Sequence, residues 1–205
     1  MIAILLIILL ISPATFAADI PEPQGRWVND YANVLDAEYR AKISNLLEEL
    51  EEKTQAEVVV VTVDSIAPYD EKEYARQIFD KWRPGKKGKD NGALVLLAVK
   101  ERRWRIETGY GLEGILPDGK CGEIGRKLMV PYFKEGRYAE GLYYGVVALA
   151  RVISEDAKIT LGAIEEYRKA EARGPLALDG SLLPFILLIS IMLLYIVLLI
   201  GKRDG

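Results

Sequence analysis

Four oxygen-bearing side chains in the middle of the chain, Asp90, Asn91, Glu113 and Asp118, are spaced so that one small fold could gather them. Asp90 and Asn91 sit in a basic, glycine-spaced stretch, 85–92 (GKKGKDNG). Glu113 and Asp118 lie in a second glycine-rich stretch that follows Thr108. Carboxylate and amide oxygens are hard ligands, suited to calcium or magnesium. Between the two pairs run an apolar segment, 93–99, a charged turn, 100–103, and a second strand-like segment, 104–108. Two short runs joined by a few polar residues predict a β-hairpin. A hairpin places the start of its first strand beside the end of its second. All four side chains are therefore expected at one end of it.

Composition narrows the chemistry further. The 205 residues contain no histidine, which removes Ser-His-Asp triads, Cys-His pairs and His-ligated zinc. Cys121 is the single cysteine, so neither an intramolecular disulfide nor a multi-cysteine metal site can form. Lys and Arg total 27 against 30 Asp and Glu, a net charge of −3, and no nucleic-acid partner is expected.

The elements that must position the hairpin read as α/β. Asp36 is placed to cap a helix running to about Lys53, with Ile43, Leu46, Leu47 and Leu50 as its apolar face. Glu48, Glu49, Glu51 and Glu52 are read as the solvated side of that helix. The β-branched run 57–63 (EVVVVTV) suits a central strand covered on both faces. A helix over 69–81 then leads back to the strand at 93–99, which implies a parallel crossover. Ahead of these elements, 19–33 reads as extended, with Trp27 as an anchor. Helices are expected from Asp118 to about Met129, from Tyr138 to about Ser154, and from Ala163 to Arg173. The fold class is thus α/β, with a small mixed sheet.

Both ends are apolar. Residues 1–18 read as a signal peptide or N-terminal anchor. The nineteen residues 182–200, opening at Leu182 and closing at Ile200, carry no charge and are long enough to cross a bilayer as a helix. Lys202 and Arg203 follow, so the tail 201–205 is expected in the cytoplasm and the domain outside a cell membrane crossed once. Residues 156–181 read as a helical linker.

Three further motifs attract attention. Gly109, Gly111 and Gly114 spell G-x-G-x-x-G, but Ile115-Leu116-Pro117 intervenes where a dinucleotide fold needs a helix, so backbone permissiveness is the expected role. Cys121 and Arg126 are one residue short of the Cys-x5-Arg spacing of thiol phosphatases. Cys121 reads as a free cysteine on a helix face, with a pKa lowered if it lies near the helix N-terminus. Lys81, Arg83, Lys86, Lys87 and Lys89 form a basic run that could attract phosphate groups or acidic lipid heads.

Three ordered motifs are similar to those of one family. Val28-Asn29-Asp30-Tyr31-Ala32 with Val34-Leu35, then Gly88-Lys89-Asp90-Asn91-Gly92, then 105–114 with Leu116-Pro117-Asp118, together resemble the TPM domain over about 24–155. The resemblance implies a three-layer α/β/α sandwich outside the membrane, here joined to a C-terminal transmembrane helix. It implies calcium at the loops around Asp90-Asn91-Gly92, with Asp90, Glu113 and Asp118 the leading ligands and Asn91 a weaker one. It also implies an alternative activity, since some plant members are described as acid phosphatases. Asp30 belongs to a family motif but is not expected at the hairpin end. Two readings therefore stand: a membrane-tethered binding or assembly module for a membrane-protein partner, or a metal-assisted phosphomonoesterase.

Overall fold

The computed structural model describes residues 19–165, together with residues 168 and 192. The expected leader 1–18, the expected span 182–200 apart from Met192, and the tail 201–205 lie outside the described residues. Among the described residues no helix is long and apolar enough to cross a membrane. Chain contacts separate residues 1–164 from 165–205, and the folded domain belongs to the first unit. In the second, Arg168 meets Glu165 at 2.6 Å.

Four strands form one mixed sheet in the order β1-β2-β3-β4. Strand β1 (Val28–Asp30) runs parallel to β2 (Glu57–Val63), with Asp30 opposite Thr62. Strand β2 runs parallel to β3 (Gly92–Ala98), and β3 pairs antiparallel with β4 (Arg103–Thr108). The parallel crossover and the hairpin are as expected, while β1 pairs where only an extended segment was expected.

Helix α1 (Ala37–Thr54) begins where Asp36 accepts a hydrogen bond from the Tyr39 N–H at 2.8 Å. Helix α2 (Glu71–Trp82) begins the same way, with Asp70 accepting from the Glu73 N–H at 2.7 Å. The period-2 alternation of a strand divides the β2 and β3 side chains between two layers. Val59, Val61, Val63, Leu94 and Leu96 pack with Tyr74 and Ile78 of α2. On the other side lie α1 and α5 (Tyr138–Asp156), which pack on each other through buried Leu46, Leu50, Leu142, Val146 and Leu149. Helices on both faces of the sheet make the α/β sandwich.

After β4, a 3₁₀ turn (Tyr110–Leu112) leads to α3 (Asp118–Ile124), a π-helical turn (Gly125–Met129) and α4 (Val130–Lys134). The single helix expected to reach Met129 is thus two pieces. Pro131 is the second residue of α4, directly after the π-helical turn, so the helical path runs on past Met129.

Candidate binding site

The end of the hairpin is built by backbone hydrogen bonds. The Gly109 N–H donates to the Gly92 carbonyl at 2.8 Å, and the Gly111 N–H to the Asp90 carbonyl at 3.0 Å. The two glycine-rich loops therefore meet, as the hairpin argument requires. Their approach is too close for side chains. A Cβ on Gly109 would stand 2.2 Å from the Asp90 oxygen, and one on Gly111 2.0 Å from the Lys89 oxygen. Gly114 has nothing within 4 Å, so only two of the three motif glycines are sterically required. Between them Tyr110 projects into solvent, 82% exposed.

The four expected ligands do not assemble into one set. Asn91 is committed to its own turn: Oδ1 accepts from the Lys86 N–H at 2.9 Å, and Nδ2 donates to the Gln55 carbonyl at 2.8 Å. Asp118, the first residue of α3, is held by Arg105 of β4 at 3.0 Å, and Arg105 also grips Glu107 at 2.9 Å. Asp90 and Glu113 remain on the two adjoining loops, exposed, and their carboxylates have no hydrogen bond or ion pair among the described residues. Among the described residues no three His, Cys, Asp or Glu side chains group as a metal site. Calcium takes six to eight oxygens. The side chains left without a partner here are two carboxylates, fewer than the four ligands expected.

Much of the basic run is also committed. Lys81 donates to the Ile20 carbonyl at 2.9 Å and pairs with Glu22 at 2.8 Å. Lys89 donates to Gln55 Oε1. Lys86 reaches Glu51 at 2.7 Å. Lys87 stays exposed on the wall of an open groove of about 570 Å³, which Phe79, Arg83 and Asp90 also line.

Glu51 corrects the sequence reading most. The acidic run predicts it on the solvated face of α1, yet it is 7% exposed and accepts four hydrogen bonds. Arg26 supplies two, at 2.6 and 3.1 Å, Trp27 Nε1 one at 2.9 Å, and Lys86 the fourth. The Arg26 hydrogen bond, helped by Lys86 and Trp27 against the cost of burial, pulls its pKa down to about 2. The signal was in the spacing, because Glu51 lies four residues after Leu47 and eight after Ile43, on the buried stripe. Glu49 is likewise engaged, accepting from the Gly162 and Ala163 N–H groups at 2.7 and 3.2 Å.

Asp30 lies at the opposite end of the sheet, as expected. Its buried carboxylate accepts from the Val34 and Leu35 N–H groups at 3.1 and 3.0 Å, from Arg40 at 2.8 Å, and from the Thr62 hydroxyl. Cys121 is buried, with its thiol against the Leu116 carbonyl, and burial pushes its pKa up to about 11. The lowered pKa expected for a helix-end cysteine is reversed, because desolvation penalises the thiolate.

Fold and site together define a small α/β domain that presents two interlocked polar loops at one end of its sheet. Residues 28–152 match the TPM domain, and the chain belongs to that family. Two rice relatives, from the indica and japonica subspecies of Oryza sativa and each described as a chloroplastic UPF0603 protein, are 24% identical over 132 residues. That match covers 64% of this chain and 44% of each relative, so the chain spans about half the length of the curated relatives it matches. Among solved structures, the N-terminal domain of a protein from P. gingivalis is 35% identical, with a TM-score of 0.62 over 65% of this chain and 85% of that one. The BA42 protein of Bizionia argentinensis, 21% identical with a TM-score of 0.51, covers 59% of this chain and 82% of its own, and shares the fold.

Proposed function

We propose that this TPM-domain protein is a membrane-tethered, extracytoplasmic binding module for a membrane-protein partner. The observation that supports it most is Tyr110, an almost fully exposed aromatic on a loop pinned by backbone hydrogen bonds. Aromatic side chains on rigid supports are the usual energetic anchors of protein interfaces. Asp90 and Glu113 flank it, and a calcium-type cation bound between them, completed by water, would stiffen both loops.

Two measurements test this reading on the full chain in detergent. A photo-crosslinker at position 110 is expected to capture one defined membrane protein in native membranes, while the same group at position 151 on α5 captures none. Equal capture at both positions ends the binding reading. Calcium is expected to raise the melting temperature, and Glu113→Ala to remove the rise. Steady hydrolysis of an aryl phosphate, lost in Asp90→Ala, would instead establish the phosphomonoesterase alternative.

A further inference from the structure

At the other end of the hairpin, away from the Asp90 loop, a second groove of about 470 Å³ opens beside β4. Five cations line it, Lys72, Arg102, Arg103, Arg105 and Arg126, against two carboxylates, Glu71 and Asp118. The chain as a whole is acidic, at −3, so this concentration of positive charge is local and runs against the average. The two carboxylates are already engaged: Asp118 with Arg105 at 3.0 Å, Glu71 with Arg103 at 3.9 Å. Lys72, Arg102 and Arg126 have no ion pair among the described residues, and all three are exposed. They come from three separate elements: the first turn of α2, the β3–β4 turn and the π-helical turn.

The wall between them is firm. The Trp104 ring lines the groove and packs so closely on the π-helical turn that a Cβ on Gly125 would stand 2.0 Å from its ring carbons. Like charges brought to one groove from three elements repel one another, and its two carboxylates are taken up by Arg103 and Arg105. A carboxylate, with two oxygens and one charge, would answer one guanidinium fork. A phosphate monoester carries up to two charges and three terminal oxygens, and arginine forks recognise it bidentately. The volume falls in the range of small-ligand sites, about 300 to 1,000 Å³.

We propose that this groove binds the phosphate group of a phosphomonoester, held by Lys72, Arg102 and Arg126 with Trp104 as the floor. The same chemistry could come from a soluble ester or from a phosphomonoester lipid headgroup at the membrane surface. The site is independent of the Tyr110 loop, so either proposal can fail without the other.

The test uses the full chain in detergent, titrated with inorganic phosphate at constant ionic strength. Phosphate is expected to bind saturably and to shift the side-chain Nε resonances of Arg102 and Arg126. The double variant R102Q/R126Q should bind at least tenfold more weakly, while K134Q, which removes an exposed cation on α4 outside both grooves, should bind as the parent does. Flotation then separates the sources. Capture by phosphatidylcholine vesicles containing phosphatidic acid, competed by phosphate and lost in the double variant, marks a lipid headgroup. Phosphate binding with no vesicle preference marks a soluble ester. The proposal is overturned if phosphate leaves both arginine resonances unmoved, or if K134Q weakens binding as much as the double variant does.

Discussion

The Lys86 ammonium donates to Glu51 Oε1 at 2.7 Å, which ties the basic loop of the candidate site to helix α1. Arg26 and Trp27, just ahead of β1, hold the same carboxylate. One buried acid therefore fixes three segments that are distant in sequence, and the loop carrying Asp90 starts from an anchored position.

Glu51→Gln should consequently destabilise the whole domain. The folded carboxyl has a pKa of about 2 against an ordinary 4.5. Its contribution is thus fully present above about pH 4.5 and is lost as the pH falls from there toward 2. At 1.36 kcal/mol per pKa unit, and allowing for the half-exposed Arg26 and Lys86, the loss should be about 2 to 3 kcal/mol. Urea unfolding from pH 7 to pH 3 checks it. The parent should weaken steeply below pH 4.5 and the variant much less.

Gly111→Ala should disturb the loop pair, since its new methyl would stand 2.0 Å from the Lys89 carbonyl oxygen. Overpacking of that kind costs about 1 to 3 kcal/mol. Gly114→Ala meets nothing within 4 Å and should be neutral in stability. Thermal unfolding of the two variants side by side separates steric need from motif membership.

Asp118→Ala distinguishes the ligand set expected from sequence from the one the geometry leaves. Because Asp118 is engaged by Arg105, its removal should leave a calcium-induced rise in melting temperature intact. Asp90→Ala and Glu113→Ala should each abolish the rise. Loss of the response in Asp118→Ala would return that residue to the cation site.

The contrast between these residues shows what could be read from the chain. Local signals carried well: Asp36 as a cap, the continuous β-branched run of β2, the hairpin, and the meeting of its flanking loops. What failed was long-range. Strand β1 is three residues long, and its pairing is decided by β2 some thirty residues later. Asn91 and Asp118 carry the right atoms, but the Gln55 carbonyl and the Arg105 guanidinium engage them first. Glu51 is hidden among four acidic residues in five that look like a solvated face, although its spacing from Ile43 and Leu47 places it inward.

Cys121 should resist alkylation in the folded domain. Its thiol is buried and its pKa is pushed up to about 11, so almost no thiolate exists at pH 8. Labelling with an aromatic disulfide reagent should be slow in buffer and fast in 8 M urea. Because the folded pKa lies above the ordinary 9.0, the stabilising effect holds below about pH 9 and fades as the pH rises toward 11.

Asp30→Asn should be among the most damaging single changes in the chain, while leaving ligand binding by the surviving folded molecules unchanged. The carboxylate serves four donors at once: two backbone N–H groups in the turn toward α1, the Arg40 guanidinium, and the Thr62 hydroxyl of the neighbouring strand. An amide can accept at one atom only, and its NH₂ would face donors. Breaking a buried charged network of this kind costs about 3 to 5 kcal/mol. Thr62→Val alone removes one donor and should cost less, about 1 to 2 kcal/mol. If the two residues act through the same hydrogen bond, the double variant should be less destabilised than the sum of the singles, by about 1 kcal/mol in urea unfolding. Strict additivity would mean that Asp30 holds the α1 turn without help from β2. The sheet end that positions Asp30 lies across the domain from Asp90 and Tyr110, so a calcium response per folded molecule that falls with Asp30→Asn would contradict the separation of structural and binding ends.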